Sequence, residues 1–314
     1  GMESLGGRIP DWLIVGLRAE DDSLVVDGVV APLPAPSGGP SMLPATVAHA
    51  SVIAPLVPAG SLLYLEDQGT GVSLQNLLAQ LRSVPEAQAP LQMLDGVGGP
   101  AGLVGWIEDA AVAVSAKDPT LDSPNAKIGV YLAAKDDATA AEKLATVKTF
   151  LGLAGLSGEG ITVATETLSG VEVTTVTVTD LGSIVPPGSV PGVDTGSLDT
   201  PVSFSIAGRG RIIYLTIGDG AMADVLAVTA GTSLADDAAF KLATQRGLAN
   251  SRTTFYAAVG AGVDLVKGFV PEEMASQWAE IAPYVDPVEA LGLSISTDPA
   301  ATRSRLVITV NHPQ

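Results

Sequence analysis

The chain has 314 residues, 46% of them hydrophobic and only 16% charged, with 34 acidic against 16 basic side chains and a net charge of −18. That field repels phosphate backbones and anionic membrane surfaces, so no nucleic-acid partner is expected. Cysteine is absent, which excludes disulfides, iron–sulfur clusters, Cys-zinc sites and thiol chemistry. Aromatic residues make up 4%, so the core is expected from Val, Leu, Ile and Ala, side chains that suit sheets with helices laid on them.

The opening Gly1-Met2-Glu3-Ser4 has neither a charged n-region nor an apolar h-region, so no signal peptide is expected there, and Gly1 reads as a tag remnant. Residues 11–30 form two apolar, β-rich runs around Glu20-Asp21-Asp22, the pattern of a β-hairpin. Residues 32–58 are a Pro-rich connector, with an ordered turn expected near Ala50–Ala54. No Asp, Glu, Lys or Arg lies between Asp27 and Glu66, but Pro32, Pro34, Pro36, Pro40, Pro44, Pro55 and Pro58 forbid a continuous membrane-spanning helix.

A first α+β half is expected over 59–180. Leu62–Leu65 reads as a strand. Ser73 is placed to cap a helix through Arg82, with Leu74, Leu77, Leu78 and Leu81 on one face. A short helix is expected over 86–94, with a break at Gly96, Gly98 and Gly99. Ala110–Ser115 and Lys127–Ala134 read as strands. A helix over Ala138–Leu151 follows Asp136-Asp137, acids at the positive end of its dipole, with Gly152 and Gly155 as terminators. Val171–Val178 is the cleanest alternating strand.

Residues 181–200 are a Pro/Gly-rich loop or boundary, followed by a second α+β half over 201–314. Strands are expected at Val202–Ala207 and Arg211–Ile217 around the turn Gly208-Arg209-Gly210. A helix over Ala221–Ala230 is next. Ser233, with Asp236 three residues on, predicts a capped helix to about Leu248. Thr253–Val259 is a strand, 260–267 and 272–282 are helices, and Ala290–Ser296 with Ser304–Val310 is a closing hairpin. The fold class is therefore α+β, with mostly antiparallel sheets, helices packed on them, and two similar halves as an option. Val15-Gly16-Leu17 also matches Leu291-Gly292-Leu293, so residues 1–31 read as a hairpin like the tail of an upstream module.

Three segments carry a family resemblance. They are Leu56-Val57-Pro58-Ala59-Gly60-Ser61-Leu62-Leu63-Tyr64, the stretch from Trp106 to Val114, and Ser233-Leu234-Ala235-Asp236-Asp237-Ala238-Ala239-Phe240. The chain resembles, over 56–310, an uncharacterised bacterial domain-of-unknown-function family of predicted membrane-anchored envelope proteins. That family opens its module with an LPADT-like segment and starts a helix with a Ser-Leu-Ala-Asp-Asp-x-x-Phe segment. Gly60 stands here where the family has Asp. The resemblance implies an extracytoplasmic location and a membrane anchor outside this sequence. It implies no catalytic residue.

The search for chemistry returns no catalytic, cofactor-binding or metal-binding residue. Only His49 and His312 exist, without a metal-ligand spacing partner, and no Gly-x-Ser-x-Gly elbow accompanies them. Gly208-Arg209-Gly210, Gly218-Asp219-Gly220 and Gly260-Ala261-Gly262 lack the third glycine and Lys-Ser/Thr of phosphate loops. Asp21-Asp22, Asp136-Asp137 and Asp236-Asp237 sit at turns and helix starts, where capping explains them. Trp12, Trp106 and Trp278 are scattered singly. The reading that results is a non-enzymatic, extracytoplasmic binding or interaction module with a protein or apolar-ligand partner, reaching the membrane only through an anchor. A carrier of a lipid or other apolar ligand in a sheet-and-helix groove is the alternative, and a carboxylate-dependent hydrolase the outside one.

Overall fold

A computed structural model of the chain describes residues 11–31, 48–82, 99–116, 125–157, 160–179, 201–268, 270, 275–298 and 300–311. The chain divides into two compact units, unit 1 from residues 1–113 with 229–314 and unit 2 from 114–228. Unit 1 thus draws on two separate stretches of the chain.

In unit 1 the strands are β1 (Leu13–Glu20), β2 (Ser23–Val30), β3 (Leu63–Gln68), β4 (Ile107–Ala116), β10 (Thr253–Ala257), β11 (Val288–Thr297) and β12 (Thr302–Val310). They lie in the order β1-β2-β12-β11-β10-β3-β4. The pairings from β1 through β3 are all antiparallel. The hairpin expected over 11–30 is present, with Asp21-Asp22 as its two-residue turn between Glu20 and Ser23. It lies beside the closing hairpin, because β2 pairs with β12 from Thr309↔Ser23 to Thr302↔Val30. Arg305 fastens the two hairpins, its Nε donating to Asp27 Oδ1 at 2.6 Å. Arg246 reaches back to Asp22 and Ser23 at the turn.

The helices of unit 1 are α1 (Thr70–Leu81), α2 (Gly99–Val104), α5 (Ala238–Gln245), α6 (Val259–Lys267) and α7 (Ala275–Val285). α5 lies against the sheet where Gly292 leaves room for it. A Cβ on Gly292 would stand 2.5 Å from the Ala243 carbonyl oxygen. Phe240 of α5 meets Tyr64 and Tyr256 edge-on, with ring centroids 5.8 and 5.1 Å away. Tyr64, Val25, Val57, Leu234 and Val307 are fully buried in this core.

Unit 2 has strands β5 (Ala126–Ala134), β6 (Ile161–Leu168), β7 (Val171–Val178), β8 (Val202–Arg209) and β9 (Ile212–Ile217), in the order β5-β9-β8-β7-β6. These pairings are antiparallel too. Helix α3 (Asp137–Ser157) packs on them, its Leu144 against Gly208, and α4 (Ala221–Leu226) follows β9. Tyr131 and Tyr214 meet edge-on, and burial raises both hydroxyl pKa values.

The α+β expectation holds broadly, with sheet dominating: twelve strands against seven helices among the described residues. Several local expectations need correction. Helix α1 starts at Thr70 with Gly69 as its N-cap, at φ 70, so Ser73 lies inside the helix and its hydroxyl donates to the Gly69 carbonyl. Helix α3 runs past Gly152 and Gly155, because Gly155 is where Val163 of β6 approaches, 2.8 Å from the position of a Cβ. Strand β6 itself is not among the predicted elements. Helix α4 ends at Leu226 rather than Ala230. Ser233 does not cap a helix. It precedes a single 3₁₀ turn, Leu234–Asp236, and its hydroxyl donates to Asp236 Oδ2 at 2.6 Å. The cap of α5 is Asp237, whose Oδ1 accepts from Phe240 N–H at 2.9 Å. The connector over 32–47, the helix over 86–94, the glycines 96 and 98, the loop 181–200 and His312 lie outside the described residues.

Two stability measurements check this account. Asp237→Ala is expected to lower the unfolding free energy by about 0.5–2 kcal/mol in urea titration, and Asp237→Asn by much less, since Asn caps as well as Asp. Gly292→Ala is expected to cost about 1–3 kcal/mol, because the added methyl meets helix backbone that cannot rotate away.

Candidate functional site

Two features of unit 1 stand out, one on each face of its sheet. The first is a polar cluster under the 48–57 segment. β3 alternates, with Tyr64, Glu66 and Gln68 pointing to the covered face and Leu63 and Leu65 to the other. β4 does the same, burying Ile107, Asp109, Ala111 and Ala113. Two acids and an amide therefore enter the core at positions where alternation calls for apolar residues.

The 48–57 segment satisfies them. Gln68 grips the His49 backbone, its Oε1 accepting from His49 N–H at 3.0 Å and its Nε2 donating to the His49 carbonyl at 2.8 Å. Glu66 accepts from the Ser51 hydroxyl at 2.8 Å and from the Tyr64 hydroxyl at 2.9 Å. Ser51 Oγ in turn accepts from Ile53 and Ala54 N–H, starting the 3₁₀ turn Ala54–Leu56. Asp109, fully buried, accepts from Gly69 N–H through Oδ1 and faces His49 Nε2 at 3.3 Å through Oδ2.

The electrostatics follow. Burial raises the Glu66 pKa, opposed by the Ser51 and Tyr64 donors, and the Asp109 charge raises it further. The His49 pKa is raised first by its bond to the Ala50 carbonyl and then by Asp109, Glu108 and Glu66. His49 Nδ1 lies 3.0 Å from that carbonyl, which can only accept, so Nδ1 carries a proton. Asp109 Oδ2, 3.3 Å from Nε2, favours the charged form of the ring in the same direction. Ser51, whose hydroxyl goes to Glu66, is not activated by His49.

The second feature is the opposite face. Directly opposed residues share a face, and one row runs Leu65–Phe255–Leu293–Leu306–Val26–Leu17 across β3, β10, β11, β12, β2 and β1. The next row is Leu63–Ala257–Leu291–Ile308–Leu24–Ala19. Neither row carries a charge. Leu63 and Leu65 are 42% and 45% exposed and Leu17 is 69% exposed, whereas Tyr64, Val25 and Val307 on the other face are at 0%. The covered face carries Glu66, Arg305 and Asp27 in the row Glu66–Thr254–Ser294–Arg305–Asp27–Gly16, while Asp67 lies on the open face beside Leu65.

One further candidate among the described residues is small. A cavity of about 30 Å³ between α5 and β11, lined by Ala243, Gly247, Thr254 and Ser294, has room for a water or two. Among the described residues no group of His, Asp and Glu is placed to hold a metal ion, and no helix is long and apolar enough to cross a membrane. The acid pairs have local roles. Asp22 binds Arg246, Asp136 accepts from Thr139 N–H, Asp236 binds Ser233, and Asp237 caps α5. Gly208 and Gly210 serve a hairpin, with Gly210 at φ 58.

The three segments behind the family resemblance meet in unit 1. Leu234 N–H donates to the Val57 carbonyl at 2.7 Å, Ala59 N–H to the Thr232 carbonyl at 2.9 Å, and β4 adjoins β3. No family model matches the chain, and no curated protein matches it. Among solved structures it is similar to crystal form III of TP0453, at 12% identity over 82% of this chain and 92% of that one, with a TM-score of 0.34. Crystal form I of TP0453 gives 11% identity over 84% and 81%, with a TM-score of 0.35. At these TM-scores the likeness carries neither fold nor function across.

The His49 contacts predict a pH dependence. Its folded pKa lies above the ordinary 6.5, so its contribution to stability is complete below about pH 6.5 and is lost as pH rises through the folded value. Urea midpoints of the parent are expected to fall over that window. Those of His49→Gln are expected to stay flat across it.

Proposed function

We propose that the chain is a non-enzymatic binding module of the bacterial envelope that docks an apolar partner surface on the open face of the unit 1 sheet. The row from Leu65 to Leu17 carries this reading. A row of uncharged aliphatic and aromatic side chains six strands wide is the surface of a sheet built to be covered on both sides. Monomeric soluble proteins seldom leave a contiguous apolar patch of this kind without a binding role. The family resemblance supports the extracytoplasmic, membrane-tethered setting.

A partner surface suits the geometry better than a carried lipid. Small-ligand sites enclose their ligand in clefts of about 300–1,000 Å³. The open face is a sheet surface, and the cavity beneath α5 is about 30 Å³.

The test is uptake of Nile red, a neutral dye that the net negative charge does not repel. The folded parent is expected to enhance its fluorescence. The double variant Leu65→Ser/Leu306→Ser is expected to cut that enhancement at least about fivefold. Its melting temperature should stay close to the parent's, since both side chains lie on the face without a core. A folded parent that leaves the dye dark, or a double variant that binds it undiminished, overturns the reading.

A further inference from the structure

We propose that β1 pairs antiparallel with β1 of a second copy of this chain, joining two unit 1 sheets edge to edge. β1 is the last strand of its sheet, and all eight of its residues are exposed. Its hydrogen-bonding direction can be read from the hairpin. Ala31 N–H donates to the Trp12 carbonyl at 3.1 Å, and bonded pairs recur at every second residue of an antiparallel ladder. Trp12, Ile14, Gly16, Arg18 and Glu20 therefore bond to β2. Leu13, Val15, Leu17 and Ala19 turn their N–H and C=O groups to the outer edge.

Of the devices that keep sheet edges from pairing, β1 has only the charges of Arg18 and Glu20, which are paired with each other. β1, LIVGLRAE, has no proline and no lysine, and its register with β2 runs without a bulge from Leu13↔Val30 to Glu20↔Ser23. Its side chains are also self-complementary. With the two-fold axis at Val15, each Leu13 opposes Leu17 of the other copy and the two Val15 residues oppose each other. All three are outward-bonding positions, so they form the narrow, fully bonded pairs. On the other face Ile14 opposes Gly16, and Trp12 opposes Arg18, where the guanidinium can lie over the indole. This match of Leu13 to Leu17 and Val15 to Val15 favours a second copy over a foreign strand.

Trp12, Leu13, Ile14, Val15 and Leu17 are 43%, 59%, 62%, 63% and 69% exposed, so the strand presents apolar side chains to a partner strand. The single charge between Trp12 and Ala19 is Arg18, already paired with Glu20 at 2.9 Å and Asp27 at 2.6 Å. Repulsion from the remaining charge is screened beyond about 8 Å at physiological salt. This inference rests on the outward backbone groups of β1 and shares Leu17 with the row behind the proposed function.

Sedimentation of the full chain across the micromolar range tests it. The parent is expected to form a concentration-dependent dimer. Val15→Pro removes an outward N–H and no bond to β2, and should move the midpoint at least about tenfold to higher concentration. Leu17→Lys should act in the same sense if the proline variant proves unfolded. The chain has no cysteine, so Val15→Cys supplies a unique thiol. A short bismaleimide should link it into covalent dimers, whereas Glu142→Cys, on α3 of unit 2, should stay unlinked. A monomer at every concentration, or association unchanged by both β1 variants, overturns the proposal. Leu65→Ser/Leu306→Ser should leave the dimer intact, so failure of the edge and failure of the face are read separately.

Discussion

Unit 1 is governed by one constraint: its strands carry apolar residues in consecutive positions, and a strand has two faces. Val25-Val26 in β2 and Leu306-Val307-Ile308 in β12 cannot all point the same way. α5 settles one face by pressing Phe240 between Tyr64 and Tyr256 and sliding over Gly292. Burying each such side chain is worth about 1.5–3 kcal/mol relative to exposure, so the covered face accounts for much of the unit's cohesion. The other face keeps the same kind of side chains half-buried in its middle and exposed at Leu63, Leu65 and Leu17, so it gains less for folding from them. The stability of the isolated chain is therefore only part of what keeps leucines there.

The covered face carries the polar groups, which is the reverse of a sheet with one wetted side. Glu66, Asp109 and Arg252 are each at most 5% exposed. Such groups are tolerable only when their partners are supplied by the fold. The 48–57 segment supplies them to β3 and β4 through His49 and Ser51, and Asp67 supplies Arg252 with a carboxylate at 2.9 Å. Breaking one member leaves a buried charge without its counterpart, which costs more than the pair contributes. The cluster thus fixes the path of a segment that has little secondary structure of its own, and it ties that path to the protonation of His49.

Much of the sheet was legible in the sequence because alternation and turn chemistry are local. The strand Val171–Val178 follows from a period-2 run, and both hairpins and the strand at 127–134 from apolar, β-rich runs bounded by turn residues. Errors arose where a distant contact decided. Ser233 has the residue type of a cap. Its neighbours, however, are drawn into backbone pairing with Val57 and Ala59, and the helix begins only at Asp237. Gly155 has the residue type of a terminator, yet it is used to admit Val163. β6, with its run of Thr and Glu, is exposed along most of its length and carries little hydrophobic signal. The polar cluster had a signal that spacing could not reveal. Asp109 and Glu66 fall on the buried phase of alternating strands, and an acid in that phase needs a partner from elsewhere. That the partner is His49, in a Pro-rich connector, depends on tertiary structure.

The open face was half legible. Consecutive apolar residues announce a sheet covered on both sides, but only register shows that Leu65, Phe255, Leu293, Leu306, Val26 and Leu17 form one row. Charge then shapes what such a face can select. The chain's net charge of −18 lies elsewhere, and the two central rows have none. Long-range electrostatics therefore supply no steering toward these rows and discourage acidic partners on approach. Affinity must come from desolvation of the leucine and phenylalanine side chains, which is short-ranged and insensitive to salt. Selectivity must come from shape and from the acidic surroundings. A surface of this kind would discriminate by excluding anionic competitors and would hold the proposed partner by apolar contact.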